Sequence, residues 1–234
     1  MRRAQFIALF CLGAHLFASD ARFTDELWAG IQPVYAKTLQ HPFLSGLADG
    51  TLPRAKFDFY LQQDALYLDT FSEAIKTLAA KAPRKEWQAT LRQHAADAIE
   101  EKNQLHLTLL RGKTASEMAP SNYAYTNHLL AAVERGPFAQ GLAAVLPCYW
   151  IYWEVGKELK KRGSKDPDYQ RWIDQYSDES YRASVEQAIA MMNAAAGGLD
   201  PAARERARQL FTRSARYEYM FWDMAWRQEG WPPR

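Results

Sequence analysis

Apolar side chains recur at spacings of three and four along almost the whole chain from residue 23 onward. Phe23, Leu27, Trp28, Ile31, Tyr35 and Leu39 mark one face of a first helix, since residues so spaced stack on one side of a 3.6-residue turn. Thr24 or Asp20 is placed to cap its start and Pro33 to kink it. His41-Pro42 ends that helix, a short segment over 43–47 leads to an Asp49-Gly50 turn, and Pro53 opens a long apolar helix reaching residue 80. A further helix over 84–110 turns Trp87, Leu91, Ala95, Ile99 and Leu105 or Leu107 inward and keeps a charged outer face. Ser121 caps a helix over 122–133. Residues 138–161 form a long helix that Pro147 bends or restarts, because its nitrogen cannot donate to the Ala143 carbonyl, and Gly163 stops it. Asp166-Pro167 starts a helix to 176, Ser177 or Asp178 caps the next to 193, and Asp200-Pro201 opens a last one to 226. With no alternating β run, no Asn-Gly hairpin and no repeat, the pattern predicts an all-α chain of roughly eight to ten helices.

Composition changes this picture little. At 234 residues and 48% hydrophobic content the chain can bury one large core, so a single domain over 22–234 is expected. Lys plus Arg number 29 against 27 Asp plus Glu, without a basic block, which argues against nucleic acid and for a small-molecule or protein partner. Two cysteines, Cys11 and Cys148, make neither a disulfide framework nor a thiolate metal site. The histidines, His15, His41, His94, His106 and His128, form no metal-ligand pair, so no zinc or di-iron ligand set is read, and His128 reads as a hydrogen-bonded packing residue. Of the many rings, 8 Trp, 12 Tyr and 11 Phe, most are expected in core and subunit interfaces and some around a pocket. Residues 1–21 form an N-terminal extension with a positive start and an apolar run. It has the outline of a signal peptide cleavable after Ala21 and is too short to span a membrane.

Candidate chemistry centres on 146–156, where Cys148 follows Pro147 and sits among Tyr149, Trp150, Tyr152 and Trp153. The thiolate is the reactive form, and at an ordinary pKa of about 8.5 it needs a partner; the alternative is a structural core thiol. Tyr152 lies one turn on, on the same face. Asp64 and Tyr67, three apart on the long helix, can direct two polar tips into one cavity; a carboxylate there is costly unless paired, or else it is a structural Asp bonded to a neighbouring helix. Glu218, flanked by Tyr217, Tyr219, Phe221 and Trp222, suits a general acid with a raised pKa, or is a Glu paired with a distant cation. Tyr176 stands near a helix end.

Taken together, His41-Pro42-Phe43, residues 60–68, residues 123–129, residues 146–152 and residues 217–222 resemble the TenA or thiaminase II family, the aminopyrimidine aminohydrolases, over about 23–226. The resemblance implies a haem-oxygenase-like helical bundle, a homotetramer, working in the cytoplasm; the signal-like extension leaves export as the alternative. It implies hydrolysis of 4-amino-5-aminomethyl-2-methylpyrimidine to the hydroxymethylpyrimidine in thiamin salvage, and cleavage of thiamin, without metal or organic cofactor. Cys148 then matches the family's nucleophile, as in its cysteine-bearing branch, and Glu218 its proton donor. Asp64 holds the pyrimidine, Tyr67 tunes the thiol, Tyr152 and Tyr176 bind substrate, and Tyr125 borders the same pocket. The rival reading is a non-catalytic or regulatory helical protein with a structural Cys148.

Overall fold

The computed structural model describes residues 22–113, 115 and 117–233, the side chains of 105–107 excepted. The signal-like segment with Asp20, Cys11 and His15, and the side chains of Leu105, His106 and Leu107, lie outside the described residues. Ten α-helices and no strand are found among those described: α1 Phe23–Leu39, α2 Pro42–Asp49, α3 Arg54–Lys81, α4 Lys85–Glu101, α5 Leu107–Leu110, α6 Pro120–Arg135, α7 Phe138–Lys160, α8 Pro167–Tyr176, α9 Glu179–Ala196 and α10 Pro201–Arg227. None of the described helices is long and apolar enough to cross a membrane.

Most boundaries follow local chemistry. His41 caps α2 by accepting the Phe43 N–H at its Nδ1, 3.2 Å away, and Gly50 ends that helix in the left-handed region at φ 72°. Asp166, Asp178 and Asp200 each accept backbone N–H groups at the starts of α8, α9 and α10. Three expectations are corrected. The cap of α1 is Arg22, and the orphan N–H of Thr24 is taken instead by Asn193 Oδ1 of α9 at 3.0 Å. The cap of α6 is Ala119 and not Ser121, because Pro120 already occupies the first helical turn. The helix over 84–110 is interrupted by a π turn, Lys102–His106, after Glu101. Pro147 lies inside α7, which runs on through it without restarting.

The long helices carry the architecture. At 1.5 Å per residue the 28 residues of α3 and 27 of α10 span roughly 40 Å each. α10 packs on α7, α1 and α6; α3 packs on α4 and α6; α7 also takes α8 and α9. The buried apolar side chains form one continuous cluster, from Phe23 and Leu27 of α1 to Met224 and Ala225 of α10. His128 packs as expected, its Nε2 3.1 Å from Ser214 Oγ on α10.

One contact fixes how α8 meets α7. At Gly156 a Cβ would stand 2.4 Å from the Tyr176 carbonyl oxygen and 2.6 Å from its carbon, so only glycine lets the end of α8 lie there. Ala is the better helix former, by roughly 1 kcal/mol, but the clash is with backbone, which cannot rotate away. Gly156→Ala is therefore expected to destabilise by about 1–3 kcal/mol, read as a fall in Tm of about 2–4 °C per kcal/mol for a chain of this size; an unchanged or higher Tm would show that α8 is free to shift.

Candidate active site

A cavity of about 300 Å³ opens between α3, α4, α7, α8 and α9. Helical spacing brings its wall together: Asp64, Tyr67, Leu68 and Phe71 project from one face of α3, Cys148, Tyr149 and Tyr152 from one face of α7. α8 adds Tyr176 at its C-terminal end, the position that Gly156 secures. Cys148 is partly buried, whereas Asp64, Tyr67, Tyr152 and Tyr176 are buried. Of the seven residues singled out in the sequence, these five line the cavity. Glu218 and Tyr125 do not: they stand behind the wall, with Tyr125 donating its hydroxyl proton to Glu218 Oε1 at 2.5 Å. The expectation that Tyr125 borders the pocket is corrected accordingly. Its ring is held between Tyr67, at 5.2 Å, and Tyr217, stacked at 5.2 Å, which leaves its one hydroxyl for Glu218.

Asp64 is positioned by a residue one turn earlier. The Tyr60 hydroxyl donates to Asp64 Oδ2 at 3.2 Å, lies 3.2 Å from the Tyr152 hydroxyl and accepts the Trp172 indole N–H at 3.3 Å. It ties α3, α7 and α8 into one polar cluster. Sequence reasoning missed Tyr60 as a functional residue, although its spacing of four from Asp64 was readable. It also missed Glu101, which lines the cavity at the end of α4 and accepts the hydroxyl proton of Tyr176. Its signal is the π turn that follows it, a distortion frequent at functional sites and invisible in hydrophobic periodicity.

The electrostatics of the thiol and the carboxyl point in one direction. Burial, and then the charge of Glu218, push the Cys148 thiol well above its ordinary value, Asp64 and Glu101 adding to this. Tyr67 opposes them: its hydroxyl has no hydrogen-bond partner of good geometry, yet it is the neighbour that lowers the thiol. Burial raises Glu218 to about 8, against the lowering effect of the Tyr125 hydroxyl. Both shifts favour the protonated form, so at neutral pH the site holds a protonated thiol beside a protonated carboxyl.

The chain resembles known proteins over most of its length. A sequence model of the TENA/THI-4/PQQC family matches residues 28–228. The chain is 34% identical over 217 residues to the aminopyrimidine aminohydrolase of Bacillus subtilis (strain 168), covering 90% of this chain and 92% of that one. Among solved structures, a TenA homologue from P. horikoshii OT3 superposes with a TM-score of 0.80 at 29% identity, over 88% of this chain and 99% of the other. A domain of unknown function with a heme oxygenase-like fold from Shewanella denitrificans OS217 superposes at 0.68 with 13% identity, over 88% and 92%, a likeness of fold alone. The all-α, haem-oxygenase-like bundle expected from the sequence is the fold observed.

The raised carboxyl has a consequence for stability. Between about 4.5, the ordinary value, and about 8 the folded chain keeps a proton on Glu218 that the unfolded chain has lost. This group's contribution to stability is therefore undiminished below the lower value and falls as pH rises through the window. Glu218→Gln removes the titration while its amide oxygen still accepts from Tyr125. The variant's Tm is expected to gain on the wild type between about pH 5 and about pH 8; a constant difference across that range would mean that the folded chain carries Glu218 ionised.

Proposed function

The chain belongs to the TENA/THI-4/PQQC family, and on that premise we propose that it is an aminopyrimidine aminohydrolase of thiamin salvage. It converts 4-amino-5-aminomethyl-2-methylpyrimidine to the hydroxymethylpyrimidine and also cleaves thiamin, which presents the same ring with a different leaving group. The observation that carries the reading is the convergence of Cys148, Tyr67 and Asp64 on one aromatic-walled cavity, with the raised carboxyl of Glu218 buried beside them. Similarity to the Bacillus subtilis aminopyrimidine aminohydrolase over nine-tenths of the chain favours an enzyme over a regulatory protein with a structural Cys148.

The mechanism follows from what each group can do. Flat tyrosine walls, Tyr152 and Tyr176, hold the ring, and Asp64 accepts hydrogen bonds from its amidine-like edge. Cys148 adds across a ring C=N bond: sulfur bonds to the electron-poor carbon and the thiol proton ends on the ring nitrogen, with Tyr67 supporting the developing charge on sulfur. Glu218, buried behind Tyr67 and close enough to act on the Cys148 thiol, reaches the 5-substituent once the ring is seated and gives it its proton; the bond from that substituent to the methylene then breaks, leaving an exocyclic methylene. Water then adds to that methylene, its proton returning to Glu218, and the carbon–sulfur bond breaks to restore the aromatic ring and the thiol. The sum is replacement of an amine by hydroxyl at the expense of one water, and it needs no cofactor. The assignment extends to one TenA-like domain over 22–234 assembling as a homotetramer in the cytoplasm, with Tyr123 and Met220 as exposed apolar side chains suited to contacts between copies.

Cys148→Ala is expected to bring turnover of the aminopyrimidine near the uncatalysed level while the pyrimidine still binds. Glu218→Gln should lose kcat on the order of 10²–10⁴-fold with little change in KM. Wild-type activity should decline above about pH 8, as Glu218 gives up its proton. Full turnover by Cys148→Ala would sink the mechanism. Alkylation of Cys148 that the pyrimidine fails to slow would sink the placement of the ring.

A further inference from the structure

We infer that the mouth of the cavity selects ligands by charge, admitting a pyrimidine whose substituent is cationic in solution and turning away one that carries a phosphate ester. The inference rests on the proposed function and extends it from the ring to the group that leaves.

The cavity is polarised along its length. Asp64, Tyr67 and Tyr152 are buried, whereas Asp97, Glu100 and Gln104 near the end of α4, and Ser180 of α9, are exposed and so form the opening. Asp97 and Glu100 place two carboxylates at that opening beside Glu101. Among the described lining residues there is no Lys or Arg. Lys102, next along the chain, is paired with Asp69 at 2.5 Å. A ligand therefore enters past carboxylates of a single sign, a field that concentrates cations and repels anions.

Two buried polar atoms point to a ligand there independently of the charge. His94 and Tyr149 both line the cavity, 4% and 6% exposed, with rings 5.5 Å apart. His94 Nδ1 and the Tyr149 hydroxyl have no hydrogen-bond partner, although buried polar atoms are nearly always paired. His94 Nε2 lies 3.0 Å from Gln187 Oε1, an acceptor, so Nε2 carries the ring proton and Nδ1 is left as a bare acceptor. Burial holds the imidazole below its ordinary value, and it stays neutral. An acceptor beside carboxylates suits a substituent rich in N–H or O–H donors, such as an ammonium or a hydroxyl. A phosphate at neutral pH brings acceptors that the Tyr149 hydroxyl and Ser180 can serve, but its negative charge meets no Lys or Arg among the described lining residues and faces Asp97 and Glu100.

The test is calorimetric binding to the full chain of thiamin, whose thiazolium tail is cationic, and of thiamin monophosphate. The wild type is expected to bind thiamin at least about tenfold more tightly. Asp97→Asn with Glu100→Gln, both exposed positions, should narrow the ratio to less than about threefold. Raising salt from about 20 mM to about 500 mM should narrow it in the wild type, which keeps the test valid should the double variant fold poorly. Equal affinities in the wild type, or a ratio that a folded double variant leaves unchanged, would overturn the inference. Because binding is read without turnover, failure to hydrolyse the aminopyrimidine would refute the proposed function alone. Hydrolysis of the aminopyrimidine with no charge preference in binding would refute this inference alone.

Discussion

A carboxyl group buried among rings, with a tyrosine hydroxyl as its bonded partner, is the constraint around which this bundle is arranged. Glu218 is 2% exposed on α10 and bonded to Tyr125 of α6. An ionised carboxylate there would need a compensating cation, and the groups that act on it are burial, Tyr125 and the like charge of Asp64. Holding it neutral is the less costly state. That in turn requires apolar walls on the remaining sides, which Phe221 and Trp222 of the same helix, both buried, are placed to provide. Tyr125 can serve only if its ring is fixed, and the Tyr217 stack fixes it. The contacts of α10 with α6 and α7 therefore do two things at once: they close the hydrophobic core and they set the protonation of one group.

The same dryness acts on Cys148 in the opposite sense. A thiol wants help to ionise, and its surroundings withhold it: burial, Glu218 and Asp64 all favour the protonated form, and Tyr67 alone among the stronger influences favours the thiolate. Such a thiol reacts only slowly with casual oxidants and alkylating agents, because the reactive species is scarce. An electron-poor ring held against it by Asp64 changes the balance, since the proton then has a ring nitrogen to go to. On the proposed mechanism the ligand completes the active site, and the polar groups around it are cross-linked through Tyr60 to Asp64 and Tyr152 and through Tyr176 to Glu101.

Much of this was legible in the chain because the fold is helical and the site is carried on helices. Spacing of three and four places Asp64 with Tyr67, and Cys148 with Tyr152, on single faces whatever the tertiary structure, and aspartate caps before Pro167 and Pro201 announced two helix starts. What failed to be read has physical reasons. Ser121 is a good capping residue, but Pro120 fixes the first turn one position earlier. Residues 84–110 keep apolar periodicity on both sides of the π turn, so the widened turn at Lys102–His106 left no mark in the pattern. Glu101 looked like one more charge on a solvated face, and only the fold reveals that α4 turns it toward Tyr176. Tyr125 was assigned to the right neighbourhood and the wrong layer, since periodicity gives a face and not a depth.

Depth is what gives this site its two-ended character. Chemistry that moves a proton from a carboxyl to a leaving group is favoured where water is excluded, yet the departing amine must reach water as a cation. A uniformly dry cavity would trap it, and a uniformly wet one would let Glu218 ionise. Helices α3 and α7 supply the dry end; α4, ending in Asp97, Glu100 and Glu101, and α9, beginning with Ser180, supply a polar acidic end. The gradient lies from buried carboxyl to exposed carboxylates, so on the proposed mechanism positive charge created on the substituent would be drawn outward as it forms. The inner and outer acidic groups differ in burial, and burial, with the like charge of Asp64 beside it, is what raises the inner carboxyl of Glu218.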